Sequence, residues 1–313
     1  MNNKVILVGI HGRPSLRNTY SKMQTSNSRL VVRRRIRKTG REWFRVYDNF
    51  NSQTFNKVKI DNFRFNNSII IRWGNAIQID TPGSIIYNEA KAIALASNKK
   101  RSREVFIENE ISTPRPVTPN STSINYPIIA RPSTHAKGRN FVVLNNLSEF
   151  TRHYNINEPQ GWYYSEFVDK VREFRIHCAH GKILNYLEKP NPSNGSIAWN
   201  RARNGGDPFE NVKWSDYNMA CGIEAIKATR ALGLDFAGID VMLDREGRAY
   251  VLEANTSPTL NSSEYSMQRY AMYFDWLFRS NTKREHWDVS KFKKPESLAW
   301  KNFQLLDENE TQN

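Results

Sequence analysis

Cysteine is nearly absent from this chain: Cys178 and Cys221 are the only two in 313 residues, and neither sits in a C-x-x-C or zinc-ligand spacing. That argues against a disulfide framework and against a structural zinc. Long apolar runs are missing too. Nothing approaches the roughly 18 to 20 residues a membrane span needs, and residues 1–9 read as a short strand without a signal-peptide pattern. The expectation is a cytoplasmic protein with no membrane contact. Acidic residues are scarce at the start, where residues 1–64 hold fifteen Lys or Arg against Glu42, Asp48 and Asp61, a net +12 out of +15 for the whole chain. A field of that sign attracts nucleic acid, acidic peptide tails or phosphorylated metabolites, and by itself specifies no chemistry. What is plentiful is core material: 39% hydrophobic and 12% aromatic residues suffice for a substantial core and about two domains.

Along the chain, residues 4–10 read as a buried strand, followed by a polar loop and β-rich runs at 29–37 and 43–47. Residues 69–73 close this region, a basic β-rich N-terminal domain placed at 1–80. Its alternation of Arg with Val and Ile predicts a sheet with one solvated basic face. After the Thr81-Pro82-Gly83 turn, helices are expected at 88–96 and from Asn98 to about residue 110, then a Pro-rich linker or edge segment at 113–125. Strands at 126–131 and 140–144 flank a polar loop at 132–139, with a helix near 147–153. Residues 163–167, 172–179 and 182–187 continue as sheet before a polar stretch at 190–207 that reads as a mobile loop. Ser215 is the expected N-cap of a helix running to about Leu232, which Gly233 stops. A helix at 265–278 precedes a polar tail at 280–313, and no internal repeat is present.

The strongest chemical signal is a pair of strands, 236–243 and 249–253, joined by a tight turn around Glu246-Gly247. With those two residues at the centre of the turn, Asp240 falls directly opposite Glu253. Like charges opposite one another on a sheet repel, so an acidic pair within apolar strands calls for a cation or a shared proton. Asn255, two residues beyond Glu253, adds a neutral oxygen on the same face. This oxygen-only set of Asp240, Glu253 and Asn255 suits Mg²⁺ better than zinc.

These residues, Gly238-Ile239-Asp240-Val241-Met242-Leu243-Asp244 with Leu252-Glu253-Ala254-Asn255-Thr256-Ser257-Pro258, resemble the ATP-grasp superfamily. They are especially similar to the D-alanine–D-alanine ligases, and the Asn255 region and the Asn98-Lys99 start are similar to the RimK-like glutamate ligases. The resemblance covers residues 96–262 and none before about 70. It implies an α+β fold in which two lobes, about 96–165 and 166–279 within a grasp domain at 81–279, enclose ATP. It also implies two magnesium ions, with Mn²⁺ as an alternative, on Asp240, Glu253 and Asn255. By the same resemblance Lys99 binds phosphate, with Lys100 and Arg101 as rivals. Arg131 stands where the family has a lysine before its phosphate loop. That loop holds here only one glycine, Gly138, with Ser133, Lys137 and the neighbouring polar residues as phosphate contacts. Glu166 with the backbone at Val168 is placed at adenine, Glu173 seven residues later at ribose, and Lys189 in the nucleotide site. Arg201, with Arg203 as rival, is the cation on the transferring phosphate. His135 reads as a polar loop contact or a proton carrier, and His177 and His180 as strand residues near a turn.

The activity implied is an ATP-dependent carboxylate–amine ligase acting through an acyl phosphate, with release of ADP and phosphate. Its alternatives are an ATP-grasp kinase of a polyhydroxylated substrate and a nucleic-acid-binding protein built on a nucleotide fold. The basic N-terminal region points to an acidic peptide, a protein tail, an amino acid, or a nucleic acid such as tRNA as the partner.

Overall fold

Three sheets organise the described residues. The computed structural model describes residues 5–10, 14–23, 28–35, 42–47, 56–59, 67–76, 81–133, 141–189, 209–213, 216–260 and 264–280. The first sheet has six strands: β1 (Val5–Ile10), β2 (Ser28–Arg35), β3 (Glu42–Tyr47), β4 (Asn56–Lys59), β5 (Ile69–Trp73) and β6 (Ile85–Tyr87), in the order β4-β3-β2-β1-β5-β6. Strands β2, β1, β5 and β6 run parallel, whereas β3 and β4 are added antiparallel at one edge. All five residues of β5 are buried, as expected for a parallel strand covered on both faces. The last strand of this sheet, β6, reaches Tyr87. The solvated basic face foreseen for 29–37 and 43–47 rests on side chains outside the described residues.

A helix the sequence reading took for a loop, α1 (Pro14–Ser21), follows β1. Proline at its first position leaves no intrahelical donor missing, and Leu16 and Tyr20 are buried beside Ile69, Ile71 and Trp73. The same core includes Tyr270, Phe274 and Leu277 of α6 (Glu264–Ser280), with the Trp73 and Tyr270 rings edge-to-face at 5.1 Å.

The second sheet is built from β10 (Lys170–Ala179), β11 (Lys182–Glu188), β12 (Glu210–Asn211), β13 (Phe236–Asp244) and β14 (Ala249–Asn255), ordered β12-β11-β10-β13-β14. One face packs its Phe174, Ile176, Ile239, Val241 and Val251 under α5 (Met219–Ala231). The cap of α5 is Asn218, whose side chain accepts from Cys221 N at 3.0 Å, rather than Ser215. Gly233, at φ +67, ends the turn that follows. Helices α2 (Ala90–Ser97) and α3 (Lys99–Glu108) contribute Ile93 and Phe106 to this larger core. Asn88, expected inside a helix, instead sits at φ +60 and ties the first sheet to the second. Its amide donates to Phe236 O at 2.9 Å and accepts from Asp235 N at 2.8 Å.

The third sheet is small: β7 (Ile128–Pro132), β8 (Val142–Leu144) and β9 (Trp162–Glu166), ordered β8-β7-β9. With α4 (Leu147–Asn157) it forms its own core of Val117, Ile128, Ala130, Leu144, Phe150 and Tyr164. The Pro-rich segment runs along its edge, where Pro116 bridges to Ser165 and Val117 N donates to Tyr164 O at 3.2 Å. Among the described residues no helix is long and apolar enough to cross a membrane.

Candidate active site

The register of the second sheet lines up its charged residues in rows. Across β10, β13 and β14, Arg175 lies opposite Asp240 and Asp240 opposite Glu253. The next row is His177, Gly238 and Asn255, and the previous one Glu173, Met242 and Tyr250. Side chains directly opposite share a face. The face that carries Arg175, Asp240 and Glu253 is therefore the one turned away from α5, and it holds the chemistry.

The hairpin reaches this pairing by a different route from the one expected. Leu243 pairs with Ala249 and Val241 with Val251, so the turn has three residues, Arg245, Glu246 and Gly247, with Asp244 N bonding to Arg248 O at 3.1 Å. Gly247 takes φ +78, the left-handed third position that such a loop needs. On its own that geometry would pair Asp240 with Leu252. A bulge between Asp240 and Val241 restores the Asp240–Glu253 pair, leaving Leu252 as the extra residue.

Each carboxylate on this face is held by a cation. Asp240 receives a two-pronged bond from Arg175, Nε to Oδ1 and Nη2 to Oδ2, both at 2.7 Å. Glu253 is paired with Lys99 Nζ, and Asn255 Nδ2 is 3.4 Å from Glu253 Oε1. Glu173 lies between Lys170 and Lys189, with Lys189 Nζ 3.2 Å from Oε2. Burial pushes Asp240 up despite Arg175, and the Glu253 and Glu173 carboxylates add to the rise. Burial acts on Glu253 as well, but Lys99, Arg175 and Arg131 together outweigh it and hold that carboxyl down at about 2. Glu173 is likewise brought down by Lys170 and Lys189 against its burial. Two adjacent acids pushed in opposite directions mark a site that favours one more positive charge. Among the described residues no three His, Cys, Asp or Glu side chains are arranged to hold a metal ion by themselves; the third oxygen donor here is the Asn255 amide. An oxygen-only, largely buried set fits a hard divalent cation.

The remaining expected residues fall into three groups. Lys99 and Arg131 reach Glu253 from two different elements: Lys99 opens α3, its N bonded to Ser133 O at 3.0 Å, and Arg131, on β7, acts electrostatically on Glu253. Arg131 stacks over Phe141 at 4.9 Å and has a buried Nε without a partner. Lys100, the rival to Lys99, pairs instead with Glu158 at 2.9 Å. A second group is engaged within the fold. Both Ser133 donors, N at 2.8 Å and Oγ at 2.5 Å, go to Gly161 O, so this residue fixes the loop end and Lys99 and has no donor left for a phosphate. Glu166 Oε1 accepts from Arg115 N at 3.0 Å, and Val168 O accepts from Lys170 N at 2.9 Å. The third group, His135, Lys137, Gly138, Arg201 and Arg203, lies outside the described residues.

Three site residues escaped the sequence reading. Arg175 stands two residues after Glu173 on one strand face, a period-2 signal. Arg103 follows Lys99 by four on one helix face, a signal of the same kind. Lys170 carried no local signal, since its pairing with Glu173 depends on the bulge between Lys170 and Arg172.

A family model, the RimK-like ATP-grasp domain, matches residues 209–271, the stretch that holds β13 and β14. D-alanine–D-alanine ligase B of Pseudomonas putida is 25% identical over 190 residues, covering 53% of this chain and 56% of that protein. The chain thus spans about half the length of that curated relative. Among solved structures, VanG D-Ala:D-Ser ligase from Enterococcus faecalis superposes with a TM-score of 0.58 at 14% identity, over 90% of this chain and 100% of that one. The chain has the ATP-grasp fold. A Chryseobacterium gregarium RiPP-associated ATP-grasp ligase in complex with ADP and a leader and core peptide gives 0.58 at 12% identity, over 90% and 98%. The ATP-grasp ligase PsnB complexed with a minimal precursor gives 0.59 at 11%, over 88% and 99%. Glu253 lies where charged residues of the second sheet, of α3 and of the third sheet meet.

Proposed function

We propose that this chain is an ATP-dependent carboxylate–amine ligase that works through an acyl phosphate. The observation that carries the reading is the Arg175–Asp240–Glu253 row, an acidic pair on a buried sheet face with Lys99 and Arg131 brought to it from α3 and β7.

In this reading Asp240, Glu253 and Asn255 hold Mg²⁺, one ion or two, with Mn²⁺ as an alternative. Such an ion supplies charge neutralisation and alignment for the phosphates when bound. Lys99 and Arg131 hold phosphate oxygens, Glu173 and Lys189 flank the ribose, and Glu166 with the Val168 backbone faces the adenine. Lys137 and Gly138 cover the phosphates, and Arg201 or Arg203 neutralises the transferring group. A carboxylate oxygen of the substrate attacks the γ-phosphorus, the bond to the bridging oxygen breaks, and ADP leaves. An amine nitrogen then attacks the acyl carbon, phosphate departs, and the nitrogen loses a proton, leaving an amide. The chain's part is to position the groups, neutralise charge and exclude water from the acyl phosphate.

Support for the substrate class comes from the relatives, named for D-alanine, D-serine and a precursor peptide; an amino acid, an acidic peptide or a protein tail is proposed on that basis. The comparisons lend no support to a nucleic-acid partner. The test is to incubate the chain with ATP, Mg²⁺ and a panel of amino acids and acidic peptides, following ADP and the masses of products. A product lighter by one water than its combined substrates, formed with ADP and phosphate, is the expected result. A product that has gained phosphate on a hydroxyl would replace the ligase by a kinase.

A further inference from the structure

Arg103 is a buried cation to which no carboxylate is bonded among the described residues. Only 8% of its surface is exposed, and its Nε and Nη1 are buried without any hydrogen-bond partner. Its guanidinium lies over the Tyr163 ring at 4.9 Å, and Tyr163 is paired directly opposite Arg131 across β7 and β9, on the same face. Arg103 therefore stands beside Arg131, whose Nε also lacks a partner. Four residues earlier on the same face of α3 is Lys99. Glu253, a carboxylate that acts on Arg103, is bonded to Lys99. Burial pulls the Arg103 pKa down and Arg131 adds to the fall, against the opposing pull of Tyr163 and Glu253. Two neighbouring guanidinium groups with open, buried donors are stabilised when an anion completes the arrangement. Planar, fork-shaped donors match phosphate oxygens.

We propose that Arg103, together with Arg131, binds the phosphates of the nucleotide beyond the first, with Tyr163 as the platform that fixes its plane. This rests on the nucleotide-binding part of the proposed function and adds a ligand to it. Hydrogen bonds to a charged group contribute about 1.5–3 kcal/mol, so losing Arg103 lowers affinity by roughly tenfold to a hundredfold. The experiment is calorimetric titration of AMP, ADP and ATP into the full chain and into Arg103→Met, with thermal melts to establish that both are folded. ADP and ATP should weaken by at least about tenfold in Arg103→Met while AMP changes by less than about twofold. Arg103→Lys, which keeps the charge, should restore part of the ADP affinity and guards against misfolding of the Met variant. Inorganic pyrophosphate should compete with ADP in the wild-type chain and lose that ability in Arg103→Lys to a measurable degree. Equal weakening of all three nucleotides, or none, would overturn the inference while leaving nucleotide binding intact. Absence of ATP binding by the wild-type chain would overturn the proposed function and this inference with it.

Discussion

The two sheets whose charged residues act on Glu253 treat charge in opposite ways. On the five-stranded sheet every carboxylate of the site has a cation: Asp240 has Arg175, Glu253 has Lys99, and Glu173 has Lys170 and Lys189. On the three-stranded side Arg131, with Arg103 of α3 next to it, keeps buried donors open. The difference teaches which charge each side still favours. The large sheet pairs each of its carboxylates with a cation and, at Asp240 beside Glu253, still favours one more positive charge; the small one has buried guanidinium donors that suit an anion.

The sharpest way to break that contrast is to remove compensation from the large sheet. Arg175→Met leaves Asp240 buried without its partner, and should cost about 3–5 kcal/mol in urea unfolding. The double variant Arg175→Met, Asp240→Leu should recover most of it, since a well-packed apolar pair can replace a buried ion pair. Asp240→Asn alone keeps the shape and removes a charge, and should lower the rate of ADP formation on the order of a hundredfold or more while leaving the fold intact.

That contrast was only half legible in the sequence. The acidic hairpin was readable because its two strands are adjacent in the chain and a short turn sets their register. Even so, the turn is one residue longer than the spacing indicated, and the bulge at Leu252 corrects the offset. Arg175 could not be paired from sequence, because its partner is 65 residues away and the β10–β13 register is a tertiary fact. Helix α1 was hidden for a similar reason: its composition is mixed, and it is held by burial of Leu16 and Tyr20 against β5 and α6. Arg103 was visible as a spacing from Lys99, but not as a buried group, since a run of Lys and Arg normally marks a solvated face.

A smaller effect sharpens the comparison through pH. His177 shares the active face; burial, with Arg175 adding to it, takes its pKa down to about 3. The folded chain therefore holds it neutral, whereas unfolded it protonates near 6.5. Its contribution to stability is present above pH 6.5 and lost as pH falls toward 3, amounting to about 2 kcal/mol by pH 5. Urea midpoints at pH 7 and 5 should show this loss in the wild-type chain and a shallower one in His177→Phe. The smallest effect expected is that of Gly238→Ala. A Cβ there would lie 3.0 Å from Pro258 Cβ and 3.5 Å from Arg175 Cδ, so the variant should lose about 1 kcal/mol and bind Mg²⁺ more weakly.

The most direct test of the account is the affinity of the full chain for ATP with and without Mg²⁺, measured by calorimetry alongside Glu253→Gln. If Asp240, Glu253 and Asn255 hold the ion that binds with the nucleotide, Mg²⁺ should tighten ATP by about tenfold or more in the wild-type chain and have little effect in the variant. ATP binding indifferent to Mg²⁺ in both proteins would contradict the assignment of the hairpin as the metal site.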